Sequence, residues 1–192
     1  MCGCTGKAEK ERQDSIRTAD SVAHAEALKA AEQARLDSIK QLPFKNDDIK
    51  EKHIVVDKPS FTLFVRENDK TLLELPVCLG KGVGQKKRKG DHKTPEGSFK
   101  ITSIAQSSSW PHDFHDGKGK VRGAYGPWFF RLNTPQSTHI GIHGTLAPET
   151  MGTRDSDGCV RLRNEDLEEL RKHVKVGMKV LINPDVIPEK EG

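Results

Sequence analysis

The chain has 192 residues, with 32 Lys and Arg against 28 Asp and Glu, a formal net charge of +4. No run of about 18 apolar residues occurs, so the sequence encodes no helix apolar enough to cross a bilayer, and 17 Gly with 10 Pro but no three-residue period exclude a collagenous chain. Apolar residues make up 33%, below the roughly 45–50% of a globular chain, which points to one domain plus a segment without a core.

That segment is the N-terminal one. Residues 1–50 carry nine basic and nine acidic side chains, so the whole +4 falls on residues 51–192. From Ser15 to Ile39 the chain is Ala-rich and free of Gly and Pro, which predicts a helix. Its apolar stripe is almost all alanine and buries little area, so it reads as a solvated spacer, with a short coiled coil as the alternative. Pro43 ends it.

From His53 the pattern changes to β. Ile54–Val56 and Phe61–Val65 predict strands joined by the turn Asp57-Lys58-Pro59-Ser60. Asn68-Asp69 predicts the next turn and Thr71–Leu79 a third strand, so a meander is the simplest topology. Ser98–Ile104, Trp128–Leu132, His139–Ile142 and Gly177–Ile182 are further strand candidates. Asn164 reads as the N-cap of one helix, with Leu167, Leu170 and Val174 on its apolar face. The organisation is a tether over 1–50, a mainly β domain over 51–184 and a tail over 185–192.

Cys2 and Cys4 lie in the tether, and Cys78 sits in an apolar strand where a buried, inert thiol is expected. Cys159 lies in the polar turn Ser156-Asp157-Gly158-Cys159-Val160-Arg161, near the cations Arg161 and Arg163, which would lower a thiol's pKa. A Cys78–Cys159 disulfide is open from sequence. His24 falls on the spacer helix, and His53, His92, His112, His115 and His173 sit among polar residues. His139 and His143 are four apart, which on a strand puts both rings on one face, with Ile140 and Ile142 toward the core. With Cys159 they would suit zinc, or serve as structural histidines, or one would be the base that activates the thiol.

At this point the residues become specific. Ile142-His143-Gly144-Thr145, followed by Ser156-x-Gly158-Cys159-Val160-Arg161-Leu162-x-Asn164, resembles the signature of the L,D-transpeptidase catalytic domain (YkuD type). Ile54–Lys58, Pro76–Lys81, Thr94-Pro95-Glu96-Gly97-Ser98-Phe99 and Gly126–Leu132 are similar to further segments of that family, in the same order. The resemblance implies a β-sandwich or barrel with one short helix after the catalytic Cys, and acyl transfer without a cofactor. It makes Cys159 the nucleophile, His143 its base and the Gly144 carbonyl the group that orients the imidazole. Backbone amides of Asp157, Gly158 and Cys159 are the natural oxyanion donors, and Arg161 would hold a substrate carboxylate or favour the thiolate. Ser156 and His139 complete the expected site. Many members carry a second His where this chain has Asp157, whose carboxylate is therefore expected to face solvent.

The implied substrates are peptidoglycan stem peptides, as donor and acceptor. D-alanine would leave, and either an amine would complete a crosslink or water would complete a carboxypeptidase reaction. A wall-binding lipoprotein without turnover is the rival from another class. Met1-Cys2-Gly3-Cys4 resembles the end of a bacterial lipoprotein signal, with Cys4 as the lipidated residue, which implies a membrane-tethered protein on the periplasmic face of the envelope. Gln85–Gly90 is the densest basic run. A solvated loop is expected there, with binding of anionic wall polymers as the alternative; it lacks the interleaved aromatics of a nucleic-acid site. The Gly- and Ser-rich stretch Gln106–Tyr125 is a candidate lid.

Overall fold

The computed structural model describes residues 49–185 apart from 115, 116, 118 and 136. The expected spacer helix, Cys2 and Cys4 lie outside the described residues. Twelve strands follow in chain order among the described residues: β1 (His53–Asp57), β2 (Thr62–Glu67), β3 (Lys70–Pro76), β4 (Leu79–Gly80), β5 (Gly97–Gln106), β6 (Pro111–Asp113), β7 (Lys120–Arg122), β8 (Trp128–Leu132), β9 (Gly141–His143), β10 (Arg154–Ser156), β11 (Val160–Arg161) and β12 (Lys179–Ile182). One α-helix, α1 (Asn164–Arg171), stands among them.

Eight strands form one sheet in the order β11-β9-β8-β5-β12-β1-β2-β3. The expected meander is present: β1 pairs antiparallel with β2 and β2 with β3, through a turn in which Asn68 takes a left-handed φ of 52°. The other side of β1 pairs in parallel with β12, Ile54 opposite Val180. Flanked on both sides, β1 is buried along its whole length. That matches its unbroken apolar run, since alternation is needed only where one face meets water.

The sheet curls until its two edges are stitched together. Cys78, two residues past β3, exchanges both backbone hydrogen bonds with Arg161 of β11, each at 2.9 Å. Edge groups that would otherwise be open to another chain are thereby paired. Inside the curl, Ile54, Val56, Leu63, Val65, Phe130 and Ile142 are inaccessible to solvent, and each such side chain contributes about 1.5–3 kcal/mol of burial free energy. The expectation of a mainly β domain with one short helix after Cys159 holds. Cys78 is buried and, like Cys159, a free thiol, so the disulfide is excluded.

The helix α1 turns Leu167 and Leu170 inward as expected, whereas Val174, also buried, lies three residues past its end. Its start differs from the expectation. Arg163, not Asn164, is the N-cap, and it caps through no side chain. The Asn164 Oδ1 instead accepts a 3.0 Å hydrogen bond from the Thr145 amide, tying α1 to the loop that follows β9. Glu165 and Asp166 in the first turn supply the negative charge that a helix start favours.

Lys58 also departs from its turn-like context. Its side chain is fully buried, with Nζ at 2.6 Å from Glu96 and 2.8 Å from Asp185 and donating to the Gly84 and Thr94 carbonyls. Arg154 pairs with Asp185 on its other oxygen. A buried ammonium is tolerated because it is matched by charge and by hydrogen bonds. This cluster anchors both ends of the loop between β4 and β5, which forms one wall of the site.

Candidate active site

A cleft of about 410 Å³ opens beside β9 and is lined by Cys159, His143, His139, Asp157 and Arg161 among others. Five of the eight site residues expected from sequence therefore converge on it, and Gly144, Gly158 and Ser156 form the backbone and support behind them. The cleft wall also holds Lys86, His92, His112 and Tyr125.

His143 ends β9. That strand lies between β8 and β11, in parallel register with the latter, Arg161 opposite His143. Its ring is buried, stacked on Phe129 at 5.3 Å and met edge-on by Tyr125 at 5.0 Å. Nδ1 lies 2.6 Å from the Gly144 carbonyl. A carbonyl only accepts, so Nδ1 carries the proton and Nε2 holds the free lone pair. Burial drives the imidazole pKa down to about 3; Arg161 and His112 push the same way, and the Gly144 carbonyl opposes them. Gly144 has no room for a side chain: a Cβ there would collide with Asn164 Oδ1 and lie 2.9 Å from the Gly126 Cα.

Cys159 sits at the end of a turn built by Ser156, whose Oγ donates to the Cys159 carbonyl at 2.6 Å and accepts from the Gly158 amide at 3.1 Å. The Gly158 N–H is thus spent inside the turn. Gly158 takes a φ of +122°, and a Cβ on it would lie 2.8 Å from the Lys93 carbonyl, so both conformation and space demand glycine. The thiol is half-buried and donates to the His139 carbonyl at 3.4 Å. Its pKa is raised, not lowered as its cationic neighbours suggested. Desolvation outweighs a hydrogen bond from the Gly141 backbone and the charges of Arg161 and Lys86, with Asp157 adding to the rise. Only one of the two expected cations reaches the site: Arg163 instead pairs with Asp166 at 3.7 Å.

Arg161 is mostly buried and donates to Asp155 at 3.3 Å. Asp157 faces solvent as expected, its side chain 57% exposed, with His92 Nδ1 at 2.9 Å and Lys81 Nζ at 3.8 Å. His139 and His143 both reach the cleft, but β9 begins only at Gly141, and His139 is exposed at the mouth. Gly141, the first residue of β9, has no space for a Cβ against the Phe129 ring. Ile140 and Ile142 face the core. Among the described residues no group of three His, Cys, Asp or Glu side chains could hold a metal ion.

The basic run is exposed as expected at Gln85 and from Lys87 to Gly90, but not at Lys86. The Lys86 side chain is only 2% exposed and pairs with Asp91 at 2.6 Å, while the other Asp91 oxygen accepts from the amides of Lys87 and Arg88 at 2.7 and 3.0 Å. Asp91 folds the run back on itself, which brings Lys86 and Lys89 to the cleft wall. The Gln106–Tyr125 stretch contains the hairpin β6–β7, and its His112 and Phe114 line the cleft. Sequence reading passed over His92 as a site residue, and reached Lys86 only as part of a basic run and His112 and Tyr125 only as part of a candidate lid. His92 meets Asp157 across 65 positions, and no local spacing signals such a pair.

Residues 51–182 match the family model of the L,D-transpeptidase catalytic domain. The chain is 30% identical over 131 residues to the L,D-transpeptidase YkuD of Bacillus subtilis, an alignment covering 68% of this chain and 65% of the relative. Among solved structures, it superposes on an L,D-transpeptidase from Mycobacterium smegmatis with a TM-score of 0.52 at 20% identity, covering 69% of this chain and 58% of that one. The catalytic domain of the E. faecium L,D-transpeptidase gives 0.50 at 22% identity, covering 70% of this chain and 98% of that domain. These structural likenesses are of fold. The chain thus spans slightly less than two thirds of the Bacillus subtilis relative. With His143, Gly144, Cys159 and Arg161 in place around one cleft, and a family match over the whole β domain, this chain belongs to the L,D-transpeptidase (YkuD-type) family.

Proposed function

We propose that the protein is a cysteine acyltransferase acting on peptidoglycan stem peptides. The observation that carries this reading is the hydrogen bond from His143 Nδ1 to the Gly144 carbonyl at 2.6 Å. It leaves Nε2 as the basic atom of an imidazole that shares its cleft with a half-buried thiol. Burial lowers the imidazole pKa and raises that of the thiol, so the resting pair is neutral. Proton transfer from Sγ to Nε2 accompanies attack on the stem carbonyl rather than preceding it.

The backbone amides of Cys159 and Asp157 receive the developing oxyanion, since the Gly158 amide is held by Ser156. Arg161 steadies the charge and offers a donor to a stem carboxylate. His143 returns its proton to the departing D-alanine amine, leaving a thioester on Cys159. An acceptor amine then completes a crosslink, or water completes a carboxypeptidase cycle. His139, at the mouth, meets substrate entering the cleft. The substrate class sets the location at the periplasmic face of the envelope. In this reading Cys4 is the lipid attachment point that tethers the protein there.

Mass spectrometry of disaccharide-tetrapeptide incubated with the protein tests this reading, with Cys159→Ala alongside. Cys159-dependent loss of D-alanine is the expected outcome. A dimer product identifies the transpeptidase ending and tripeptide alone the hydrolytic one. Absence of D-alanine loss with the unaltered protein overturns the proposal in favour of a wall-binding role.

A further inference from the structure

His92 lies in the loop between β4 and β5, far in sequence from the catalytic pair, yet three features tie it to the cleft that holds that pair. Its backbone takes a left-handed φ of 53°, a conformation uncommon outside glycine that clusters at functional sites. The surroundings enforce it: the His92 carbonyl accepts from the Gly82 amide at 2.8 Å, and Gly80 has no space for a Cβ against that carbonyl. The next residue, Lys93, packs its carbonyl on Gly158 of the nucleophile turn. Finally, the ring lines the cleft together with Cys159 and His143, and its Nδ1 lies 2.9 Å from Asp157 Oδ1. A carboxylate accepts, so Nδ1 donates, and in the neutral ring Nε2 keeps the lone pair. Lys81, 3.8 Å from the same Asp157 oxygen, balances its charge.

We propose that His92, oriented by Asp157, is the base that takes the surplus proton of the acceptor ammonium in the second half of the reaction. This rests on the acyltransferase reading above. In that step the acceptor C–N bond forms and the C–S bond of the thioester breaks. An acceptor arriving as an ammonium ion loses two protons. One passes through His143 to the departing sulfur, the reverse of the path used in acylation. A single buried imidazole has no place for the other. His92 receives it on Nε2 and, with its side chain 52% exposed, releases it to water. The structure thereby supplies one imidazole for each proton, the buried His143 and the solvent-facing His92, both on the cleft that holds Cys159.

The test separates the two half-reactions. The full chain and His92→Ala are incubated with disaccharide-tetrapeptide, and the thioester on Cys159 is followed by protein mass. Acceptors are a primary amine, charged at neutral pH, and hydroxylamine, which is uncharged there. In His92→Ala the thioester accumulates, transfer to the amine slows by at least about tenfold, and transfer to hydroxylamine changes by less than about threefold. Asp157→Ala, which acts through His92, gives the same dependence on acceptor charge without slowing alkylation of Cys159 by iodoacetamide. Equal slowing with both acceptors, or no slowing with the amine in either variant, overturns the proposal. If the unaltered chain forms no thioester at all, the acyltransferase reading itself fails and this proposal falls with it.

Discussion

Gly144 does two jobs that an alanine would separate. Its carbonyl fixes the His143 tautomer, and its missing side chain lets Gly126 and Asn164 close over the loop after β9. Gly144→Ala pushes a methyl against the Gly126 backbone and against Asn164 Oδ1, a side-chain end held in place by its hydrogen bond from the Thr145 amide. A loss of about 1–3 kcal/mol in urea unfolding is expected, the usual penalty of overpacking, together with a fall in thioester formation as the carbonyl shifts. Asp157 gives a prediction of opposite sign. Its charge raises the thiol pKa, so Asp157→Asn alkylates at least as fast as the unaltered chain with iodoacetamide at neutral pH; slower alkylation would show that the carboxylate assists the thiolate. His143 and Cys159 were legible in sequence because each sits in a short motif whose chemistry is local. His92 was not, because its role depends on a strained backbone and a partner brought by the fold. The thiol pKa was misjudged for a related reason: nearby cations can be read from a string of letters, whereas desolvation cannot.

At the scale of elements, the β4–β5 loop decides what the cleft wall offers. Asp91 holds it through Lys86 Nζ and the amides of Lys87, Arg88 and Lys93, and these donors keep its carboxyl well below the usual range despite its desolvation. Asp91→Ala leaves the buried Lys86 ammonium unpaired and frees the backbone of the basic run. We expect a stability loss of about 1–3 kcal/mol and faster tryptic cleavage after Lys87, Arg88 or Lys89, read by limited proteolysis and peptide mass. Unchanged cleavage would mean that the cluster of Lys58, Glu96 and Asp185 holds the loop without it. The longer elements were legible: β1, β2, β3, β5, β8, β12 and the apolar face of α1 all follow from period and turn chemistry. The two- and three-residue strands β4, β6, β7, β10 and β11 were not, since so short a stretch carries no period and exists only because a partner strand is there. Asn164 was misread as a cap for the same reason, because the Thr145 amide that claims it lies 19 residues away.

Over the whole molecule, the curl of the sheet sets the pH range in which the protein is stable. Strand order could not be read in advance, as the parallel pairings β1–β12 and β9–β11 join segments with no turn between them. Yet those pairings bury His143 in the core and bring Asp185 onto Lys58. The two groups act in successive pH windows. An imidazole in the unfolded chain titrates at 6.5, while His143 in the fold does so at about 3. Between those values the unfolded chain holds a proton that the folded one does not, so stability is full above about pH 6.5 and falls as the pH drops, by up to about 1.4 kcal/mol per pH unit. Asp185 is held below its ordinary 3.8 despite desolvation, by hydrogen bonds from Lys58 and the Gly84 amide and by the charges of Lys58 and Arg154. Its contribution is present above 3.8 and is lost only as the pH falls through its folded value. Urea unfolding of the unaltered chain at pH 7, 6 and 5 should therefore show falling stability. His143→Gln, which removes the buried imidazole and leaves the Asp185 cluster intact, should flatten that decline by about one proton's worth. Parallel curves for the two proteins over this range would place the acid sensitivity elsewhere and show that the fold accommodates a charged His143.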